Sequence, residues 1–383
     1  MQMQRTRLEN PDQILNHGFE FEGILTDQNG KLLSFERLCQ FNADERPDWL
    51  DYEFLALQAE IQSDVFTEFN SIAGFITETQ NRLRELFNRT GIMVVPFSGI
   101  FDSDFEVTEE YVSKVAGRGY YQEAWQNMLI QKRQANIRFN RYAALHVSVA
   151  IPASDIVRMF NIANFFINPF MALLSSYSDT GHCERGMYWR FVDHTIKPLW
   201  IDSLDDYDEF INKFGMPFQG SKPESIVHKG WPWIRIKQIP NGGTNEFYRL
   251  ELAMGDMSFL PQHIEHIAEL MVRLMSIFHF QRPDFYPEQF EPSMLDQQNI
   301  QLANWSGNWR DAVTQNFQNE SVQIEMFLRQ LVGIVVDVYD ALPCTDFVTT
   351  ILDGAATGAE RIRSLQLADH NAIRVYAFNT FTS

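Results

Sequence analysis

The sequence predicts an α+β domain: a sheet with one polar, acid-rich face and one apolar face covered by helices. Three observations carry this. First, several short segments alternate apolar and polar side chains with period two. Examples are Gly18-Phe-Glu-Phe-Glu22, Ala144-Leu-His-Val-Ser-Val-Ala-Ile-Pro152 and Phe247-Tyr-Arg-Leu-Glu-Leu-Ala253. In an extended strand, such alternation sends successive side chains to opposite faces. Second, long stretches between these segments have helical apolar spacing. Third, 32 phenylalanines supply the material of a thick core.

Taken in order, Gly18 to Thr26 reads as the first strand. Phe19 and Phe21 face a core, which leaves Glu20 and Glu22 together on the other side. Adjacent carboxylates on a covered face repel one another unless a cation neutralises them. Oxygen donors on a rigid strand suit Mg²⁺, which in proteins usually accompanies nucleotide phosphates. The plainer alternative is a strand with one wet face. Asp27-Gln-Asn-Gly30 reads as a hairpin turn into Lys31 to Phe35. Asp51 to Ile61 is a further strand region, with Glu60 and Gln58 on one face. Asp64 to Thr90 is helical through Phe66, Phe69, Ile72, Ile76, Leu83 and Leu86, and Gly91 ends it. Ile92 to Ser98 is a short buried strand, and Thr108 to Asn136 is mostly helix.

In Ala144 to Pro152 the alternation puts His146, Ser148 and Ala150 on one face, with Leu145, Val147, Val149 and Ile151 on the other. Ser154-Asp155 caps a helix from Ile156 to Leu174. Ser176 to Gly181 is a turn-rich loop ahead of Arg185 and Arg190, whose charges could meet an anionic ligand or pair at the surface. Pro198 to Gly243 is mixed, with covering loops, short strands and the Asn241-Gly-Gly243 hairpin turn. In the strand that follows, Arg249, Glu251 and Ala253 share a face. Helices are expected over Pro261 to Phe280, Val322 to Leu342 and Phe347 to Leu367. Asn304-Trp-Ser-Gly-Asn-Trp-Arg310 sits before or within another.

Composition narrows the functional classes. The chain has 383 residues, 45% hydrophobic and 21% charged, which reads as folded and not disordered. With no repeat and no Pro/Ser-rich linker, residues 1–383 read as a single catalytic-size domain. A net charge of −19 argues against a nucleic-acid surface or an anionic-membrane anchor. Cys39, Cys183 and Cys344 are far apart and odd in number, which points to a reducing cytoplasm. The N-terminus lacks the apolar core of a signal peptide. Met159 to Leu174 is apolar but is broken by Asn161, Asn164, Asn168 and Pro169, so no membrane span is expected.

Four strand segments thus each carry an acid or imidazole opposite an apolar face: Glu20 with Glu22, Glu60, His146 and Glu251. Clustered carboxylates of that number need cations, and Mg²⁺ ions holding ATP phosphates would supply them.

The order GFEFE, LQAEIQ, LHVSVAIP, SDTG, RLELA, NWSGNWR and GAERIR resembles the glutamate–cysteine ligase family of the bacterial carboxylate–amine ligase type, over roughly residues 17 to 367. No single motif is specific; their order and spacing carry the likeness. The resemblance implies a glutamine-synthetase-like fold, an antiparallel β-sheet funnel backed by helices. It also implies an ATP-dependent ligase that activates a carboxylate, that of glutamate by default, as an acyl phosphate. An amine, cysteine or another, then displaces phosphate. By resemblance, Glu20, Glu22, Glu60 and Glu251 are metal ligands for Mg²⁺, with Mn²⁺ as the alternative. His146, Ser148 and Arg249 lie near the nucleotide. Arg310, Arg361 and His146 are catalytic, while Asp179, Thr180, Arg185 and Arg363 bind substrate. Two positions depart from the family pattern: Ser148 replaces a second histidine, and Ala253 replaces the arginine of a Glu-x-Arg pair. These departures leave two alternatives open: a member that binds nucleotide or amino acid without turnover, and an unrelated β-rich binding protein. An oligomer is compatible with the sequence.

Overall fold

The strand predicted first is the axis of the fold. In the computed structural model, residues 13–53, 56–69, 71–96, 111, 143–174, 198–214, 233–238, 246–303, 308–366 and 369–383 are described. Strand β1 (His17–Thr26) pairs on one side with β3 (Gln58–Gln62) and on the other with β5 (Ala144–Pro152). Beyond β3 lies β2 (Asp51–Tyr52), and beyond β5 come β7 (Phe247–Asp256) and β6 (Ile234–Gln238). A short β4 (Met93–Val95) also pairs with β1. All seven strands run antiparallel, so the architecture is α+β, as the alternating segments require.

The apolar faces of β1, β5 and β7 build one continuous core with the helices. Its central helix is α6 (Pro261–Ser276), which packs against β5 and α2 (Ser71–Thr90). It also packs against α4 (Ile167–Leu174), α8 (Ile324–Tyr339) and α9 (Pro343–Leu352). Burying large apolar side chains is the main favourable term in folding, at about 25 cal/mol per Å² removed from water. The many phenylalanines serve that end: Phe160, Phe165, Phe166, Phe170 and Phe278 are fully buried.

Several element boundaries differ from the sequence expectation, each for a local reason. The turn at Asp27–Gly30 closes with a single bridge, Thr26 to Leu32, and no second strand. Ser34 instead caps helix α1 (Phe35–Gln40), its hydroxyl accepting from the Arg37 amide. Helix α2 begins at Ser71, since Phe66 is bonded to His17 at the sheet edge. The helix expected from Ile156 to Leu174 is two, α3 (Ile156–Asn164) and α4. Pro169 lacks an amide hydrogen and its ring clashes with the carbonyl four residues back, which breaks the run at Phe165. Val322 starts in a small hairpin, β8 (Val313–Gln315) with β9 (Ser321–Gln323), before α8 begins. The region after Phe347 divides into α9 and α10 (Gly358–Ser364). A further helix not expected, α11 (His370–Thr382), is capped by the Asp369 side chain. The stretch from Thr108 to Asn136, apart from Tyr111, and the Asn241–Gly243 turn lie outside the described residues.

The asparagines that interrupt Met159 to Leu174 have a structural use. Asn161 exchanges hydrogen bonds with the Ile201 backbone, at 2.7 and 3.1 Å. Asn164 accepts from Leu199, and Asn168 joins Thr314 and Asn299. They tie two buried helices to segments that cross them. Among the described residues no single helix is long and apolar enough to cross a membrane; the α3–α4 pair passes only jointly, bent by 54°.

The carboxy-terminal helix docks on the first turn. The buried Arg374 guanidinium donates to the Gly30 carbonyl at 2.9 Å. Gly30 has φ +78, and a side chain there would meet the Asn371 backbone. Gly30→Ala should therefore destabilise the protein by more than about 1 kcal/mol, through strain and displacement of α11. Gly74→Ala, in α2 with nothing near its missing Cβ, should stabilise by about 0.5–1 kcal/mol. Urea-denaturation midpoints of the two variants check the contrast; the reverse order would refute this account of the docking.

Candidate functional site

Register decides which side chains meet. Glu22 lies opposite Glu60, and Glu60 opposite Asp51. Glu20 lies opposite Gln62 on one side and His146 on the other. Ser148 faces Glu251, and Glu251 faces Arg235. Residues directly opposite in an antiparallel pair share a face. The acids of β1, β3 and β7, with His146 of β5, thus stand in rows on the face turned away from the core.

The centre of the group is His146, buried, with a carboxylate at each ring nitrogen. Its Nδ1 is 3.0 Å from Glu20 Oε2 and 3.9 Å from Glu251 Oε1, and its Nε2 is 3.4 Å from Glu22 Oε1. The two-residue width of β7 opposite His146, at Ala253–Met254, marks a bulge. Bulges locally increase twist and re-aim side chains.

Glu251 is fully buried and encircled by cations. Arg235 Nη1 is 2.7 Å from Oε1, while Lys237 Nζ contacts Oε2. Arg249 bridges, with Nη1 3.3 Å from Glu20 Oε1 and Nη2 3.3 Å from Glu251 Oε2. Burial pushes the Glu251 carboxyl up, but Lys237, Arg235, His146 and Arg249 outweigh it and hold it well below its ordinary value. Burial and Glu251 push Glu20 up too; the His146 hydrogen bond and Lys237 bring it below its ordinary value. Glu60 goes the other way. Burial, then Glu53 and Glu20, raise it well above the ordinary carboxylate range despite a hydrogen bond from Gln62.

Arg235 and Lys237 were not among the residues singled out from sequence. Their signal was present in Ile234-Arg-Ile-Lys-Gln238, a short alternating strand just ahead of the Asn241-Gly-Gly243 turn. Read with β7, that strand places its cations beside Glu251.

Arg310 and Arg361, the arginines expected to be catalytic, are not bonded to the acidic face among the described residues. Arg310, on a short turn at Trp309–Asp311, makes five hydrogen bonds, as many as its five N–H groups. They go to the Ile351 carbonyl twice, Ala355, Asn308 and Glu360. Arg361 is exposed on α10, close enough to lower His263 further after burial has done most of the work, to about 4. Among the described residues neither arginine forms a hydrogen bond or ion pair with the carboxylate group. Asp179, Thr180, Arg185 and the Arg363 side chain lie outside the described residues.

A cleft of about 670 Å³ begins where Glu20, Gln62, Ser148 and Arg249 end the acidic face. It continues past Gly18, Ala150 and Pro152 to His279 and Phe280, with Val65 and Phe247 in its walls. Its volume falls in the range of small-molecule and cofactor sites. Among the described residues the buried Ser148 hydroxyl has no hydrogen-bond partner, as expected of a group that meets a ligand or water.

The donor set fits a divalent cation. Ligand atoms of Glu20, His146 and Glu251 lie within 4.8 Å of one another. Glu60, with Glu53, Glu20 and Glu22 all raising it, marks a second spot where negative charge exceeds positive. Carboxylate oxygens of this kind hold hard cations.

No protein-family model and no curated protein sequence matches this chain. Solved structures do. The chain aligns with glutamate–cysteine ligase from Francisella tularensis in complex with AMP at TM-score 0.61 and 11% identity, over 96% of this chain and 88% of that one. It aligns with a bifunctional glutathione synthetase from Pasteurella multocida at TM-score 0.64 and 12% identity. That match covers 97% of this chain and 53% of the other, so the chain spans about half of the bifunctional protein. The complex of the prokaryotic ubiquitin-like protein Pup with its ligase PafA aligns at TM-score 0.47 and 8% identity, over 94% and 67%. The fold of this chain is that of the first two structures.

The opposite displacements of Glu60 and Glu251 predict opposite mutational effects in metal-free buffer. Glu251→Gln should cost about 3–5 kcal/mol at pH 8, since it leaves buried cations uncompensated. A carboxyl raised in the folded state adds stability only below its unfolded pKa and loses it as pH rises through the folded one. Glu60→Gln should therefore gain about 1 kcal/mol or more at pH 8, with the gain vanishing near pH 4. Urea midpoints measured from pH 4 to 8 check both; a stability loss for Glu60→Gln at pH 8 would contradict the assignment.

Proposed function

We propose that this protein, residues 1–383 acting as one catalytic domain, is an ATP- and Mg²⁺-dependent carboxylate–amine ligase with a glutamine-synthetase-like funnel. One observation carries the reading: carboxyls from three strands, with His146 from a fourth, converge on one sheet face, at the mouth of a nucleotide-sized cleft. Glu20, Glu22 and Glu60, with His146 and Glu251, would hold the metal, which when bound neutralises triphosphate charge. Mn²⁺ is the alternative ion.

The chain's own residues fit the remaining tasks. ATP lies in the cleft with its triphosphate toward Glu20. The substrate carboxylate, that of glutamate by default, takes the γ-phosphoryl group and releases ADP. The amine of cysteine or another amino acid or amine then attacks the acyl phosphate and displaces phosphate. Such a reaction asks the protein mainly for positioning and electrostatic stabilisation. Arg249, between Glu20 and Glu251 at the inner end of the cleft, is placed to fork onto phosphoryl oxygens. With Arg235 and Lys237 it supplies the positive charge that Ala253 does not. The Ser148 hydroxyl would donate to the same ligand. Arg361, Arg363, Asp179, Thr180 and Arg185 remain the substrate-side candidates by resemblance. Arg310 reaches substrate only by giving up an existing bond, and its assigned role is to brace α9 and α10. An ATP-consuming reaction of this kind belongs in the cytoplasm.

A second reading rests on a specific observation. Glu251 already has three cationic partners, so a metal there competes with them. A protein that binds nucleotide without turnover would look the same.

Phosphate release with ATP, Mg²⁺, glutamate and a panel of amines separates the readings. Release that requires both acid and amine is expected. Mg-ATP should raise the melting temperature, by mass action on the native state. Glu20→Gln should weaken Mg-ATP binding at least about tenfold, while the exposed Glu78→Gln leaves it unchanged. Absence of any Mg-ATP-dependent rise would overturn the ligase and the binding readings together.

A further inference from the structure

The far end of the cleft carries a second polar device that the acidic face does not use. Asp155 lies three residues beyond the end of β5, and its carboxylate is gripped by Arg158 through two 2.6 Å hydrogen bonds. The same carboxylate accepts from His279 Nδ1 at 2.7 Å. Arg158 is anchored in turn by the carbonyls of Phe278, Arg282 and Phe285. Burial pushes Asp155 up, yet His279 and Arg158 together hold it below its ordinary value. Asp155 is thus a fixed acceptor, and the proton His279 shares with it sits on Nδ1.

His279 lies in a π-helical turn at Ile277–Gln281, which continues α6 and widens it. Turns of this kind are frequent at functional sites. The imidazole lines the cleft, and among the described residues Nδ1 is its only hydrogen-bonded atom. In its uncharged form, with the proton on Nδ1, the ring offers the Nε2 lone pair as an acceptor. The cleft follows β5 from Ser148 to Pro152, about 13 Å at the rise of a strand. Phosphates at the charged end would put the base of the nucleotide among Phe280, Phe247 and Val65, within reach of His279.

We propose that the Asp155–His279 pair reads the edge of the nucleotide base: Nε2 accepts from the exocyclic amino group of adenine and disfavours guanine, which has a carbonyl oxygen there. This rests on the reading of the cleft as the nucleotide site. His279 touches the base, while Asp155 positions the imidazole and fixes its tautomer. The same logic, a buried polar group left unsatisfied by the wrong partner, makes hydrogen bonding an effective discriminator.

The test is the ratio of affinities for Mg-ATP and Mg-GTP on the full chain at pH 8, by calorimetry. Wild type should prefer ATP by about tenfold or more. His279→Leu should bring that ratio near one, and purine riboside triphosphate, lacking the amino group, should bind wild type and variant alike. His279→Gln, which keeps an acceptor, should retain part of the preference. A variant that merely loosens the fold lowers both affinities and leaves the ratio intact, which would overturn the proposal. Equal wild-type affinity for the two nucleotides would overturn base reading and leave the nucleotide site standing. Binding of neither would overturn both.

Discussion

A carboxylate with no exposure to water, Glu251, sets the terms for the sheet around it. An isolated ionised group in that position is too costly to persist; it must be neutralised or paired. Arg235, Lys237, Arg249 and His146 supply the pairing from three different strands. That requirement fixes the relative register of β6, β7 and β5. It also pulls Arg249 toward the mouth of the cleft and joins Glu20 to Glu251 through one guanidinium. The acidic face is therefore a graded field. It is cation-rich near β6 and β7, and short of positive charge near Glu60 and Glu53.

That gradient gives the site a direction. Where cations already surround Glu251, Arg249 offers positive charge at the cleft mouth. Where carboxyls crowd one another around Glu60, a divalent ion would relieve the repulsion. The proposed triphosphate with its metal would need both environments on one face, and the sheet offers them on β7 and β3, with β5 and β1 between. Behind them, the core built on α6 holds the strands rigid, which is what a positioning-dominated reaction asks of a scaffold.

Polar groups inside the helical layer serve the scaffold. Asn161, Asn164 and Asn168 read as breaks in an apolar run, and they prove to be cross-links to neighbouring segments. Arg310 is similar: the sequence marks it as a catalytic cation, whereas its N–H groups are spent on the carbonyls that end α9. A buried arginine with five hydrogen bonds to four residues holds structure, and its charge is met by Glu360.

Local pattern by itself determined the strands β1, β5 and β7 and the facing of their side chains. Period-two alternation is a property of a strand alone, so Glu20, Glu22, His146 and Glu251 were legible as one chemical class. The helices α2, α6 and α8 were legible from their apolar stripes, though not their ends, which depend on what the flanking backbone bonds to. Only the tertiary structure decided which acids meet, because strand pairing joins residues far apart in sequence, more than a hundred positions for β1 with β5 and β5 with β7. It also supplied Arg235 and Lys237 as counter-ions and moved Asp155 from helix cap to partner of His279. Charge balance is a sum over neighbours in space, and no single segment contains that sum.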